Sequence, residues 1–175
     1  SMGLNELSET EKVQIGKWLK NFSTITVRET SLKQLLSPLT DKRIEVVADP
    51  TFLLSQQEWR KIAKAPDASQ PYVLIYQVIS NPLANEIARI AAQDLNAEII
   101  EIASKVDSRP KNHRIVYTAS PEEFLGWIMN ARFVVTTSFH GTAFSIIFNK
   151  AFVSIKQNKP SDLRIESLLN QFQLI

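Results

Sequence analysis

Short runs of β-branched and aromatic residues alternate along this chain with stretches in which apolar side chains return every three or four positions. That alternation predicts strands and helices in turn, the pattern of a parallel sheet covered by helices. The first helix is predicted over residues 8–21, because Ser8-Glu9-Thr10-Glu11 supplies a capping box ahead of Val13, Ile15, Trp18 and Leu19. A strand over 25–27 leads to Arg28-Glu29 and a helix from Ser31 that stops before Pro38. A second strand over 44–47 is halted by Asp49-Pro50, and Ser55-Gln56-Gln57-Glu58 opens the next helix with a second capping box.

The centre of the chain repeats the theme. Tyr72-Val73-Leu74-Ile75-Tyr76 is almost wholly apolar, as in a strand buried on both faces, and a helical period follows over 82–95. Strands are predicted over 97–102 and 114–117, with a polar rim loop over 104–113 between them, and Ser120-Pro121-Glu122-Glu123 begins another helix. The closing part reads as a strand over 133–137, a turn Ser138-Phe139-His140-Gly141, a helix over 142–148, a strand over 152–155 and a helix from Asp162. The fold class is therefore α/β, a Rossmann-like, mostly parallel sheet with helices on both faces, and the length fits one domain over residues 1–175.

Composition narrows the function classes. The 20 basic and 18 acidic residues are interspersed without a dense cationic run, which argues against a nucleic-acid groove. With no cysteine there is no disulfide framework and no thiolate nucleophile, and two distant histidines show no metal-ligand spacing. No metal or cofactor is expected. No apolar run reaches the roughly 20 residues that span a bilayer. Ser1-Met2-Gly3 reads as a vector-derived start, and the chain as the C-terminal piece of a longer protein.

Candidate chemistry gathers after the strand over 133–137. Ligands of open parallel sheets bind beyond the carboxyl ends of strands, where helix N-termini offer amide donors to anions. Gly141 would let backbone approach a ligand, Ser138 and Thr142 carry hydroxyls, and His140 can move a proton near neutral pH. Arg28 sits at the end of another strand, where its planar fork suits a carboxylate or phosphate, with an ion pair or a helix cap as the plainer role. Asp49 reads as a turn residue, His113 as a solvated loop residue, and Trp18, Trp59 and Trp127 as core. Lys150, Lys156 and Lys159 read as solvated surface.

The segment Phe133-Val134-Val135-Thr136-Thr137-Ser138-Phe139-His140-Gly141-Thr142-Ala143-Phe144-Ser145 closely resembles the hallmark stretch of the polysaccharide pyruvyl transferase family. Val27-Arg28-Glu29 with Ser31, Asp49-Pro50-Thr51-Phe52-Leu53-Leu54 and Arg164-Ile165-Glu166-Ser167-Leu168-Leu169 resemble three further signatures in the same order, so the resemblance runs from Leu7 to the end. It implies the C-terminal domain of a two-domain, glycosyltransferase-type (GT-B-like) architecture whose N-terminal domain is missing from this chain. The implied activity transfers a pyruvyl group from phosphoenolpyruvate, as a ketal, to a saccharide of a surface polysaccharide or its lipid-linked precursor. It further implies a bacterial protein in the cytoplasm or at the inner face of the membrane, and a fragment inactive by itself. By the same resemblance His140 and Arg28 are the catalytic pair, with Ser138, Phe139, Gly141 and Thr142 lining the substrate. One departure stands out, since some members carry arginine where this chain has Ser138. A sugar-nucleotide glycosyltransferase domain and a non-catalytic binding domain are the alternatives.

Overall fold

The computed structural model describes residues 7–77, 80–103, 112–159 and 162–175. The sequence reading treats the chain as one domain; its contacts gather in two compact units, Ser1–Pro50 with Asn158–Ile175, and Thr51–Gln157. Each is described by itself.

In the first unit, helix α1 (Glu9–Leu19) begins on the predicted capping box: Ser8 Oγ accepts the Glu11 amide, and the Glu11 carboxylate accepts the Ser8 amide at 2.9 Å. Its end is capped from afar. Lys42 Nζ donates to the carbonyls of Leu19, Lys20 and Phe22, acceptors that a helix C-terminus otherwise leaves unpaired. Strands β1 (Ile25–Val27) and β2 (Ile44–Val46) pair in parallel with Val27 opposite Val46, and helix α2 (Thr30–Leu36) lies in the crossover between them. Ile15, Leu19, Ile25, Val27, Leu36 and Ile44 bury one another. Trp18, expected in the core, is 55% exposed, because Ile15 and Leu19, four apart, take the inward stripe and leave Trp18 beside it.

The second unit starts with α3 (Gln56–Ile62) on the Ser55–Glu58 capping box. There follow β3 (Tyr72–Tyr76), α4 (Pro82–Asp94), β4 (Glu98–Ile102), β5 (Arg114–Val116), α5 (Pro121–Asn130), β6 (Phe133–Thr136), α6 (Phe139–Ile147) and β7 (Phe152–Ser154). The five strands form one parallel sheet in the order β5-β4-β3-β6-β7. This is the expected α/β, Rossmann-like arrangement, with the unit's first strand at the centre and the direction of strand addition reversing between β3 and β6. The chain then returns to the first unit as α7 (Asp162–Gln171), whose Gln171 Nε2 donates to the Arg28 carbonyl.

Side-chain alternation along the strands builds a core on each face of this sheet. On one face Ala84, Ala88 and Ala92 form a small-residue stripe that brings α4 down onto Val73, Ile75 and Val135. On the other, Tyr72, Leu74, Ile100 and Val134 meet Trp127 and Ile128 of α5, Phe144 of α6 and Phe148 just after that helix. Helices thus cover both faces. A Cβ on Gly126 would lie 1.7 Å from the Lys64 carbonyl oxygen, so glycine is what admits the strand-like segment after α3 against α5. The polar rim loop falls mostly on residues 104–111, which lie outside the described residues, as does the segment Ser1-Met2-Gly3.

Candidate active site

The end of β6 is fastened before the helix begins. Thr136, fully buried, donates its hydroxyl to the Tyr76 carbonyl at 2.7 Å and accepts the Ser138 amide at 3.0 Å, so one side chain ties β6 to β3 and shapes the turn. Ser138 is the N-cap of α6, its hydroxyl accepting the Gly141 amide and its carbonyl accepting the Thr142 amide at 3.0 Å. Helical winding consequently starts at Phe139, three residues earlier than the expected start at Thr142, and the predicted turn over 138–141 is the first helical turn. The Thr142 amide is therefore used inside the helix.

The same geometry shows what each residue of the motif does. Gly141 keeps a negative φ, and a Cβ there would fall 2.2 Å from Thr136 Oγ1 and 3.1 Å from a Tyr76 ring carbon. Its small size therefore serves the approach of α6 to β6 and β3 within the protein. Thr142 is fully buried, donating to the Ser138 carbonyl at 3.0 Å and lying 2.8 Å from the Ser154 hydroxyl on β7. Phe139 and Ser138 are buried as well. His140 alone of the five points outward, an exposed residue whose ring meets Phe139 edge-on at 5.4 Å.

His140 borders a cavity of about 460 Å³ at the carboxyl ends of β3, β4 and β5, beside the reversal in strand order. Tyr76, Phe124 and Phe144 make an aromatic floor, with ring centroids 4.7 Å and 5.9 Å apart along the series. Trp59 stacks edge-on beneath Phe144 at 5.1 Å and donates its indole N–H to the Thr51 carbonyl. Tyr117, 39% exposed, forms part of the wall. Among the described residues lining this cavity there is no Lys or Arg, so His140 is the one side chain there able to carry positive charge. Tyr76 and Tyr117 were missed by sequence reasoning; their signal was position at the ends of two predicted strands.

Arg28 belongs to the first unit. The register of β1 and β2 carries it past Val27 toward the segment after Val46, where its guanidinium pairs with the Asp49 carboxylate, itself only 3% exposed at the side chain. Asp49, read as a turn residue, is also the buried counter-ion of Arg28. Glu29 follows, 6% exposed, and with Arg28 it lines a cavity of about 350 Å³.

His113 departs from its expected solvated place. Its side chain is 12% exposed, and Nε2 lies 2.8 Å from a carboxylate oxygen of Glu101, which is 2% exposed and also accepts the Gln77 amide at 3.1 Å. Pairing of β4 with β5 brings the two together across residues whose order in the sequence gives no hint of it. Lys150, read as solvated, is half-buried and donates to the Met129 carbonyl at 2.9 Å; burial, then Arg132 and Arg60, lower its pKa below the ordinary lysine value. Among the described residues, no three His, Cys, Asp or Glu side chains gather as a metal centre requires. No helix among the described residues is long and apolar enough to cross a membrane.

Residues 1–158 match the family model described as polysaccharide pyruvyl transferase. The chain belongs to that family. The match includes the Arg28, Asp49 and His140 segments and ends before α7, so the fourth resemblance, over 164–169, lies beyond it. No curated protein matches the chain. Membership in this family implies a transferase and suggests a saccharide acceptor.

Proposed function

We propose that this chain carries the proton-transfer centre of a pyruvyl transferase that takes phosphoenolpyruvate as donor and forms a ketal on a saccharide. The observation that carries this reading is His140: an exposed imidazole, held on a rigid first helical turn, at the mouth of the cavity beside the strand-order reversal. The chemistry asks for such a group. One saccharide hydroxyl adds to C2 of the enol while C3 takes a proton, and a second hydroxyl then displaces phosphate from C2. Of the two hydroxyl protons released, one replaces the proton that His140 gives to C3 and the other leaves with phosphate. The aromatic floor suits the flat enol, and Ser138, Phe139, Gly141 and Thr142 serve by fixing the helix that presents the imidazole.

Arg28 is proposed to hold an anionic group of the donor, with Asp49 orienting its guanidinium. The reading places the protein in the cytoplasm or at the inner face of the membrane, where a lipid-linked acceptor would be met, and assigns the acceptor's remaining contacts to a proposed N-terminal domain of the same protein.

Calorimetric titration of phosphoenolpyruvate and of sugar nucleotides against the full-length protein, with phosphate release followed in parallel, tests the proposal. Phosphoenolpyruvate is expected to bind, Arg28→Ala to weaken it by about tenfold or more, as for a lost charge-assisted hydrogen bond, and His140→Ala to abolish phosphate release while sparing the fold. Binding of a sugar nucleotide alone would make this a glycosyltransferase domain.

A further inference from the structure

The cavity beside His140 disfavours anions and welcomes apolar surface. Among the described residues its wall holds no Lys or Arg. The start of α5 borders it at Ser120 and Pro121, but Pro121 has no N–H and the Glu123 amide is bonded to the Ser120 hydroxyl at 3.3 Å. That hydroxyl in turn donates to the Glu122 carboxylate at 2.7 Å, which brings negative charge to the rim. Besides His140, the side-chain donors left in the wall are the phenols of Tyr76 and Tyr117. Two neutral hydroxyls do not replace the water shell of a phosphate and a carboxylate.

Apolar atoms meet the opposite conditions. Ile102 and Ala119 continue the aromatic floor of Tyr76, Phe124 and Phe144, and ring faces, being partly negative, favour C–H groups over oxyanions. About 460 Å³ lies in the range that drug-sized ligands occupy, far more than one enol methylene fills. In phosphoenolpyruvate the apolar end is C3, whereas the carboxylate and the phosphate are both carried on C2.

We infer that the donor lies with C3 directed into the aromatic cavity and its anionic groups directed out of it, so that the site also takes enol phosphates enlarged by an alkyl group at C3. The inference rests on the pyruvyl transferase reading, in which His140 gives its proton to C3, and adds to it the donor's orientation and a wider donor class. The bonds made and broken are those of the smaller donor. Two saccharide oxygens bond to C2, C3 takes a proton, the C2–O bond to phosphate breaks, and the second hydroxyl proton leaves with phosphate.

Calorimetry and NMR of the full-length protein with phosphoenolpyruvate and with both geometric isomers of its 3-methyl derivative test the inference without an acceptor. At least one isomer is expected to bind about fourfold tighter than phosphoenolpyruvate, the gain from burying one methyl group. Its methyl protons should show nuclear Overhauser contacts with the ring of Tyr76, Phe124 or Phe144. Ala119→Leu, which fills the cavity from its wall, should weaken that isomer relative to phosphoenolpyruvate by about tenfold, as overpacking does. Ala119→Val, a smaller filling, decides the matter if the Leu variant does not fold. The ratio of the two affinities is the readout, because a general loss of structure lowers both alike. If phosphoenolpyruvate binds while both isomers bind about tenfold more weakly or not at all, or if the ratio stays unmoved in the folded variants, the inference is overturned and the pyruvyl donor stands. A protein that ignores phosphoenolpyruvate contradicts both.

Discussion

Gly141 shows how a motif residue acquires a different meaning once its neighbours are known. Beside a histidine at a strand end, glycine suggests room for a ligand; in the fold that room is occupied by Thr136, the fully buried side chain that joins β6 to β3. A methyl group at 141 would have to displace a short, hydrogen-bonded threonine, so Gly141→Ala is expected to destabilise by about 1–3 kcal/mol, the usual cost of overpacking. Urea unfolding of the variant checks this, and a loss below about 0.5 kcal/mol would show that α6 can move away freely. His140 carries the opposite expectation. Being exposed, it should tolerate alanine within about 0.5 kcal/mol while activity disappears. The solvated reading of His113 failed, and the partner of Arg28 was not foreseen, for one shared reason. Arg28 with Asp49 and His113 with Glu101 are joined by strand pairing across 21 and 12 positions, which no local pattern encodes.

At the scale of elements, the capping boxes at Ser8 and Ser55 were legible because their bonds are made within four consecutive residues, and the helix start read at Ser120 carries a third box of the same kind. Ser138 obeys the same rule as an N-cap, and its signal was a serine just before the apolar run; the glycine two residues into the helix obscured it. The strands of the second unit were legible from their apolar runs, whereas their order required tertiary pairing. β3 offers a test of that core. Tyr72, 2% exposed, donates its phenol to the Trp127 carbonyl at 2.7 Å and packs edge-on against the Trp127 ring. Burial first, and then the Glu98 charge, raise its pKa well above the ordinary tyrosine value. A raised folded-state pKa means that the contribution is whole below the unfolded value of about 10 and is lost as pH climbs toward the folded value. Tyr72→Phe should cost about 1–2 kcal/mol at pH 8, and the gap between variant and wild type should narrow at pH 10.5 and above. A gap independent of pH would show that the phenol is solvated.

For the whole molecule, composition and periodicity settled the α/β class, and four short motifs led to the family that the match over residues 1–158 establishes. They could not divide the contacts between two compact units, because α7 rejoins the first unit after the whole of the second has been threaded. The imidazole and aromatic cavity belong to one unit and the Arg28–Asp49 pair to the other. The chain has two histidines, and they make a direct assay possible. His140 lies exposed at the cavity, and His113 is sequestered against Glu101. Histidine ring signals assigned with His140→Gln should respond differently when phosphoenolpyruvate is added: the His140 signal shifts in a saturable way and the His113 signal stays in place. A donor that moves neither ring, or that moves His113 alone, would contradict the placing of the proton-transfer centre at His140.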